Sequence, residues 1–153
     1  MKNENLKTQV HSKTQPQLKQ ANVESGSPEL NELIAVIRVR GSKETRTPVE
    51  ETLRTHLHLT RRHNCAIFHF NPTVKGWLQM AKDYITWAPV SQAVVNELLA
   101  KRGEGAKTVA DALPFRLHPP RGGFRKSTKL PFPRGELGKR TPELMEKLLK
   151  SML

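Results

Sequence analysis

Apolar and polar positions first fall into a regular pattern at Leu33. Leu33, Ala35, Ile37 and Val39 share one face of a two-residue repeat, which predicts a strand over Leu33–Val39. Arg38 and Arg40 then occupy the opposite face near its end. Gly41 and the polar residues up to Thr47 make a turn. At Thr47-Pro48-Val49-Glu50 the pattern becomes helical: Thr47 can cap, Pro48 suits the first helical position and Glu50 completes a capping box. Val49, Leu53 and Leu57 repeat at helical spacing, and Arg61-Arg62 end the segment. A second strand is predicted over Asn64–Phe70. Asn71-Pro72 or Thr73 opens a second helix whose Val74, Trp77, Leu78 and Ala81 form one stripe. That register makes Trp77 a core residue, although an aromatic ring in a basic chain also invites base stacking.

Tyr84–Trp87 reads as a short third strand, rich in aromatic and β-branched residues and broken by Pro89. Ser91 can cap a third helix running to Arg102, with Val94, Val95, Leu98 and Leu99 inward. The order is therefore β-α-β-α-β over residues 33–88. Single helices between strands would suit a parallel sheet. The short length favours instead an α+β, ferredoxin-like core: a three-stranded antiparallel sheet with two helices on one face. From Gly103 onward Pro114, Pro119, Pro120, Pro131 and Pro133, with Gly122, Gly123, Gly135 and Gly138, leave little room for regular structure. Phe115–His118 reads as a short extended piece, and the remainder to Arg140 as an arm. Thr141-Pro142 restarts a helix with Leu144, Met145, Leu148, Leu149 and Met152 on one face. Such a face needs an apolar surface, so this helix should fold back onto the domain. Three regions result: a polar extension over 1–32, the core over 33–88, and a helix, basic arm and C-terminal helix over 89–153.

Length and charge narrow the function. A chain of 153 residues allows one modest domain with extensions. Its 26 lysines and arginines outnumber 14 acidic residues, for a net charge of +12. Residues 1–32 hold 4 lysines and 4 glutamates, so none of the excess lies there. That polar extension is expected to be disordered when free. The excess elsewhere calls for a polyanion or an anionic membrane surface as partner. No apolar run approaches the ~20 residues of a membrane-spanning helix, and the N-terminus has no apolar signal-peptide core. A single cysteine, Cys65, excludes an internal disulfide framework. An intracellular protein bound to nucleic acid, with neither membrane nor small-molecule substrate, fits best.

The arm carries the densest candidate chemistry: Arg116, His118, Arg121, Arg125, Lys126, Lys129, Arg134, Lys139 and Arg140 around Gly122 and Gly123. An arginine fork pairs with two phosphate oxygens and its plane stacks on bases, while glycine lets the backbone approach a phosphate closely. With little apolar content the arm is expected to order only against RNA; otherwise it is a solvated charged loop. Arg38 and Arg40, with Lys43 and Arg46, form either an RNA-facing rim on a sheet edge or a charged face that blocks edge pairing. Arg61 and Arg62 are a similar pair, with Arg54 nearby. Lys75, Gly76 and Lys82 lie on the outer side of the second helix. His56, His58, His63, Cys65 and His69 have no zinc-finger or zinc-ribbon spacing, so neither metal nor cofactor is expected. GGFRKST at Gly122–Thr128 lacks the glycine directly before lysine-serine of a phosphate-binding loop. No nucleophile elbow or paired acids occur, and His118 has no acid–base partner, so an RNA-processing enzyme is not expected.

The stretch LIAVIRVRGSKETRTPVEETLRTHLHLTRRHNC, then KGWLQMAKDYITW, FRLHPPRGGF and GELGKR, resembles the archaeal branch of large-subunit ribosomal protein thirty, whose eukaryotic counterpart is large-subunit protein seven. The resemblance runs from Leu33 to Leu153, most specifically at Val74–Trp87 and at RLHPPRGG. It implies a βαβαβ core, no enzymatic activity, and a cytoplasmic place on the large ribosomal subunit. The implied partners are large-subunit rRNA, near the 5S rRNA, and neighbouring ribosomal proteins. A free RNA-binding module or RNA chaperone using the same basic surfaces is the alternative. The chain departs from the family in a shortened stretch between Gly103 and Pro114, in the order His63-Asn64-Cys65, and in its N-terminal extension. The first leaves the linker's path open, and the last leaves the extension's role open.

Overall fold

A computed structural model describes residues 32–41, 47–103, 108, 110 and 113–153. The extension up to Asn31, Lys43, Arg46, the capping side chain of Thr47 and most of the linker after Gly103 lie outside the described residues.

β1 (Leu33–Arg38) is the centre of the molecule, and its LIAVI run explains why. Apolar residues on both faces of a strand demand cover on both sides. β1 pairs antiparallel with β2 (Asn64–His69), Ile37 opposite Cys65. On its other side it pairs antiparallel with β3 (Ile85–Pro89), Ile37 opposite Thr86. This is the expected three-stranded antiparallel core; β3 merely runs on to Pro89 instead of breaking before it. Ile34 and Val36 face α1 (Thr47–Thr55) and α2 (Pro72–Ala81), where Leu53, Val74, Leu78 and Ala81 are buried. Ala35 and Ile37 face α3 (Gln92–Arg102) and α4 (Pro142–Met152), against Val94, Val95, Leu98, Met145, Leu149 and Met152. The last helix therefore folds back as its apolar face requires, with Leu144 left at the surface. Ser91, expected to cap α3, instead donates its hydroxyl to Glu146 Oε1 at 3.0 Å and ties α3 to α4.

The sheet does not stop at three strands. β4 (Phe115–Arg116) adds antiparallel to β2. β6 (Gly135–Lys139) adds parallel to β3, with β5 (Ser127–Pro131) beyond it in irregular register. The strand order is β4-β2-β1-β3-β6-β5. The second half of the arm is thus a preformed part of the sheet, contrary to the expectation that it orders only on RNA. Long-range bonds hold it: Thr86 Oγ1 donates to the Gly138 carbonyl at 3.1 Å, and the Arg140 amide to the Trp87 carbonyl at 2.9 Å. Gly135 is buried where a Cβ would collide with the Leu130 carbonyl, so only glycine fits that turn.

Trp77 is only half-buried, its ring against the α1/α2 cluster, whereas its neighbour Leu78 is 1% exposed. Leu78→Ala is expected to cost ~2–5 kcal/mol, and Trp77→Ala roughly half the ~3–5 kcal/mol of a fully buried tryptophan. Urea unfolding of the two variants checks the order; a larger loss at Trp77 would make the indole the true core residue.

Candidate nucleic-acid interface

Strand direction sorts the basic residues to one end of the sheet. The end of β1, the starts of β2, β3 and β6, and the end of β4 all emerge there. Val39 N–H donates to the Tyr84 carbonyl (3.0 Å), His63 N–H to the Arg38 carbonyl (2.8 Å) and Leu117 N–H to the His63 carbonyl (3.3 Å). These bonds bring Arg40, Arg61, Arg62, Lys82 and Arg116 together, from segments far apart in sequence. The chain then runs along the C-terminus of α4, with His118 N–H on the Met152 carbonyl (3.0 Å) and Arg121 N–H on Ser151 (3.2 Å). A turn follows, closed by Gly123 N–H to the Pro120 carbonyl at 2.8 Å. Gly122 and Gly123 are exposed and have φ of 79° and 75°, a left-handed region that strains any other residue. Phe124 returns to stack on His63, centroids 6.0 Å apart, and sets Arg125 and Lys126 at the same end.

Arg61, Lys82, Arg116, His118, Arg121 and Arg125 are exposed there. Arg62 is anchored by Nε to the Val39 carbonyl at 3.1 Å. Arg40 is held by the Asp83 carbonyl (3.4 Å) and lies 5.1 Å from the Tyr84 ring centroid. Lys126 donates to the Pro133 carbonyl at 2.7 Å and sits over Phe132. Lys129 and Arg134 are exposed on β5 and on the turn that follows it. Lys150, exposed in the last turn of α4 beside Ser151, joins this end as well. Reading the sequence missed it, because a helical stripe does not say which way the helix points. Burial, and then the Arg62 charge, lower the His63 pKa, so the ring that stacks on Phe124 is neutral.

Two arginines expected to face RNA do not reach it. Arg38 is 0% exposed: it lies on a central strand, not an edge, and forks onto both carboxylate oxygens of Glu50. Glu50, expected in a capping box, is held by that pair. Arg140 is buried between β3 and β6, paired with Glu136 and donating to Thr86 Oγ1 at 2.9 Å. Lys75, in the first turns of α2, belongs to the other end of the sheet, and Lys139, opposite Trp87, lies midway along it.

Among the described residues no three His, Cys, Asp or Glu side chains gather as metal ligands, and no helix is long and apolar enough to cross a membrane. Burial pushes the Cys65 thiol up to about 12, so it carries almost no thiolate at neutral pH. Iodoacetamide at pH 8 should leave Cys65 unmodified in the native protein and alkylate it in guanidinium, as mass spectrometry would show. Rapid native labelling would mean that the strand opens.

Fold and charge together define a class: a small basic α+β protein with its cations gathered at one end of a sheet. No family model matches the chain. It is 36% identical to the large ribosomal subunit protein uL30 of Staphylothermus marinus, over 80% of this chain and 99% of that protein. The uL30 proteins of Archaeoglobus fulgidus (31%) and Methanosphaera stadtmanae (33%) align over 77% and 79% of the chain and 99% and 100% of their own lengths. The chain belongs to the uL30 family of large ribosomal subunit proteins. As a member of a ribosomal protein family it is not an enzyme.

Proposed function

We propose that the chain is a structural constituent of the large ribosomal subunit in the cytoplasm, binding and stabilising folded rRNA through the basic end of its sheet. The observation that carries this reading is the convergence there of exposed Arg61, Arg116, Arg121 and Arg125 around the Gly122–Gly123 turn. Nearby carboxylates of Glu50 and Glu136 are already occupied by Arg38 and Arg140, so neither offsets these cations. Arginine forks meet phosphate oxygens in pairs, and the two glycines let the backbone approach a phosphate ridge. The finer proposal, from the family resemblance, is that the RNA is large-subunit rRNA near the 5S rRNA, with ribosomal proteins alongside.

Cosedimentation tests the reading. Wild-type chain should travel with large-subunit particles in high-magnesium gradients. Arg116→Ala with Arg121→Ala should move much of it to the top of the gradient without altering its melting. A wild-type chain that never leaves the free fractions would favour an extra-ribosomal RNA-binding module instead.

A further inference from the structure

Away from the basic end, the outer surface of the α1/α2 layer carries a second arrangement suited to RNA. His56, just past the end of α1, lies flat on Trp77 of α2, with ring centroids 4.7 Å apart and planes 6° from parallel. The indole is half-buried and backed by the apolar cluster beneath α1 and α2, whereas His56 is exposed. The imidazole therefore occupies the place that one base takes on another, on a support that is part of the core. Met80, one helical turn beyond Trp77, is 53% exposed and receives the Thr52 hydroxyl at 3.1 Å, which extends the apolar surface beside the stack.

A histidine that merely shields a tryptophan would account for the ring contact. It does not account for exposed Met80 beside that contact. We propose that His56, backed by Trp77, is a stacking platform for an unpaired nucleobase. This inference rests on the RNA-binding reading above and adds to it a site for single-stranded RNA. Stacking on an aromatic ring is tolerant of base identity because every base presents a π-face. The platform therefore takes a looped-out or bulged nucleotide and does not read sequence. A ring already ordered against the core loses little further freedom when the base arrives.

The test uses the full chain and two labelled RNAs, a short oligoadenylate and a blunt RNA duplex, with affinities read by fluorescence anisotropy. His56→Ala should weaken oligoadenylate binding roughly five- to tenfold, in the range of one lost base–aromatic stack. His56→Phe, which keeps a flat ring, should restore it, and neither change should alter duplex affinity. Oligoadenylate binding unaffected by His56→Ala, or equally poor with phenylalanine and alanine, overturns the proposal. A parent chain that binds neither RNA overturns the RNA-binding reading along with it. Duplex binding that depends on Arg116 and Arg121, without any effect at His56, overturns the platform alone.

Discussion

Arg38→Ala is expected to destabilise the protein by roughly 3–5 kcal/mol, the range for removing one partner of a buried, hydrogen-bonded ion pair. The guanidinium is fully enclosed and makes contacts in several directions at once. Its Nη2 and Nη1 reach the Glu50 carboxylate at 2.6 and 3.1 Å. Nη1 also donates to the Leu59 carbonyl at 2.7 Å, and Nε to the Arg40 carbonyl at 2.9 Å. Alanine would strand a carboxylate of which only 19% is exposed, together with the Leu59 and Arg40 carbonyls that the guanidinium now satisfies. It would also unpin α1 and the loop after it from the central strand. The melting temperature should fall on the order of 10–20 °C for a domain of this size. RNA affinity measured well below the midpoint should stay within about twofold, because the side chain never faces solvent. Normal melting combined with lost RNA binding would put Arg38 at the interface after all. Glu50→Gln should show a smaller loss, since its amide oxygen still accepts from the guanidinium, and a double-mutant cycle should give strong coupling between the two positions.

Arg38 also shows how far the sequence carries and where it stops. Alternation along Leu33–Val39 locates the strand correctly, and the same alternation places Arg38 opposite Ala35 and Ile37. On a strand covered on one face only, that position would be wet. The uninterrupted LIAVI run was the contrary signal, since a strand apolar on both faces is buried on both. The acid in the first turn of α1 was the available partner. The helices were legible because each rests on a local period and a local start signal, Pro48, Pro72 and Pro142 among them. The antiparallel core was legible because the segments are too short for much else. β5 and β6 were not, because nothing within GELGK announces a strand; its pairing with β3 depends on Thr86 and Trp87, some fifty residues earlier in the chain. Arg140 was misread for the same reason. Beside prolines and glycines it looks like a free cation, and only the approach of β3 turns it into a buried partner of Glu136 and Thr86.

The basic end itself was half legible. Residue types named the chemistry, and the arm's Arg116, Arg121 and Arg125 stand where RNA could reach them. What the sequence could not supply is the sorting of charges between the two ends of the sheet, which depends on strand direction. Lys75 and Lys139 have the same side chains as Lys82 and Lys126 and yet belong elsewhere.

That sorting leads to the second large effect, a change in how binding depends on salt. Each phosphate neutralised by a cation releases counterions, and log K falls with log salt by roughly 0.7–0.9 per contact. The triple change Arg116→Ala, Arg121→Ala and Arg125→Ala should reduce the steepness of that dependence by roughly 2–3 on a fragment of large-subunit rRNA. At about 0.1 M salt, counterion release alone makes this a loss on the order of a hundredfold in affinity. Stability should barely move, because exposed side chains away from caps and cores usually contribute within about 0.5 kcal/mol. Lys75→Ala with Lys139→Ala removes like charge away from the basic end and is the control. If RNA engages the basic end, that pair should leave the salt dependence almost untouched. Equal loss of steepness per charge removed, at the basic end or away from it, would mean that the chain binds RNA by net charge spread over its whole surface, and the gathering of arginines around Gly122 and Gly123 would have no special part in it.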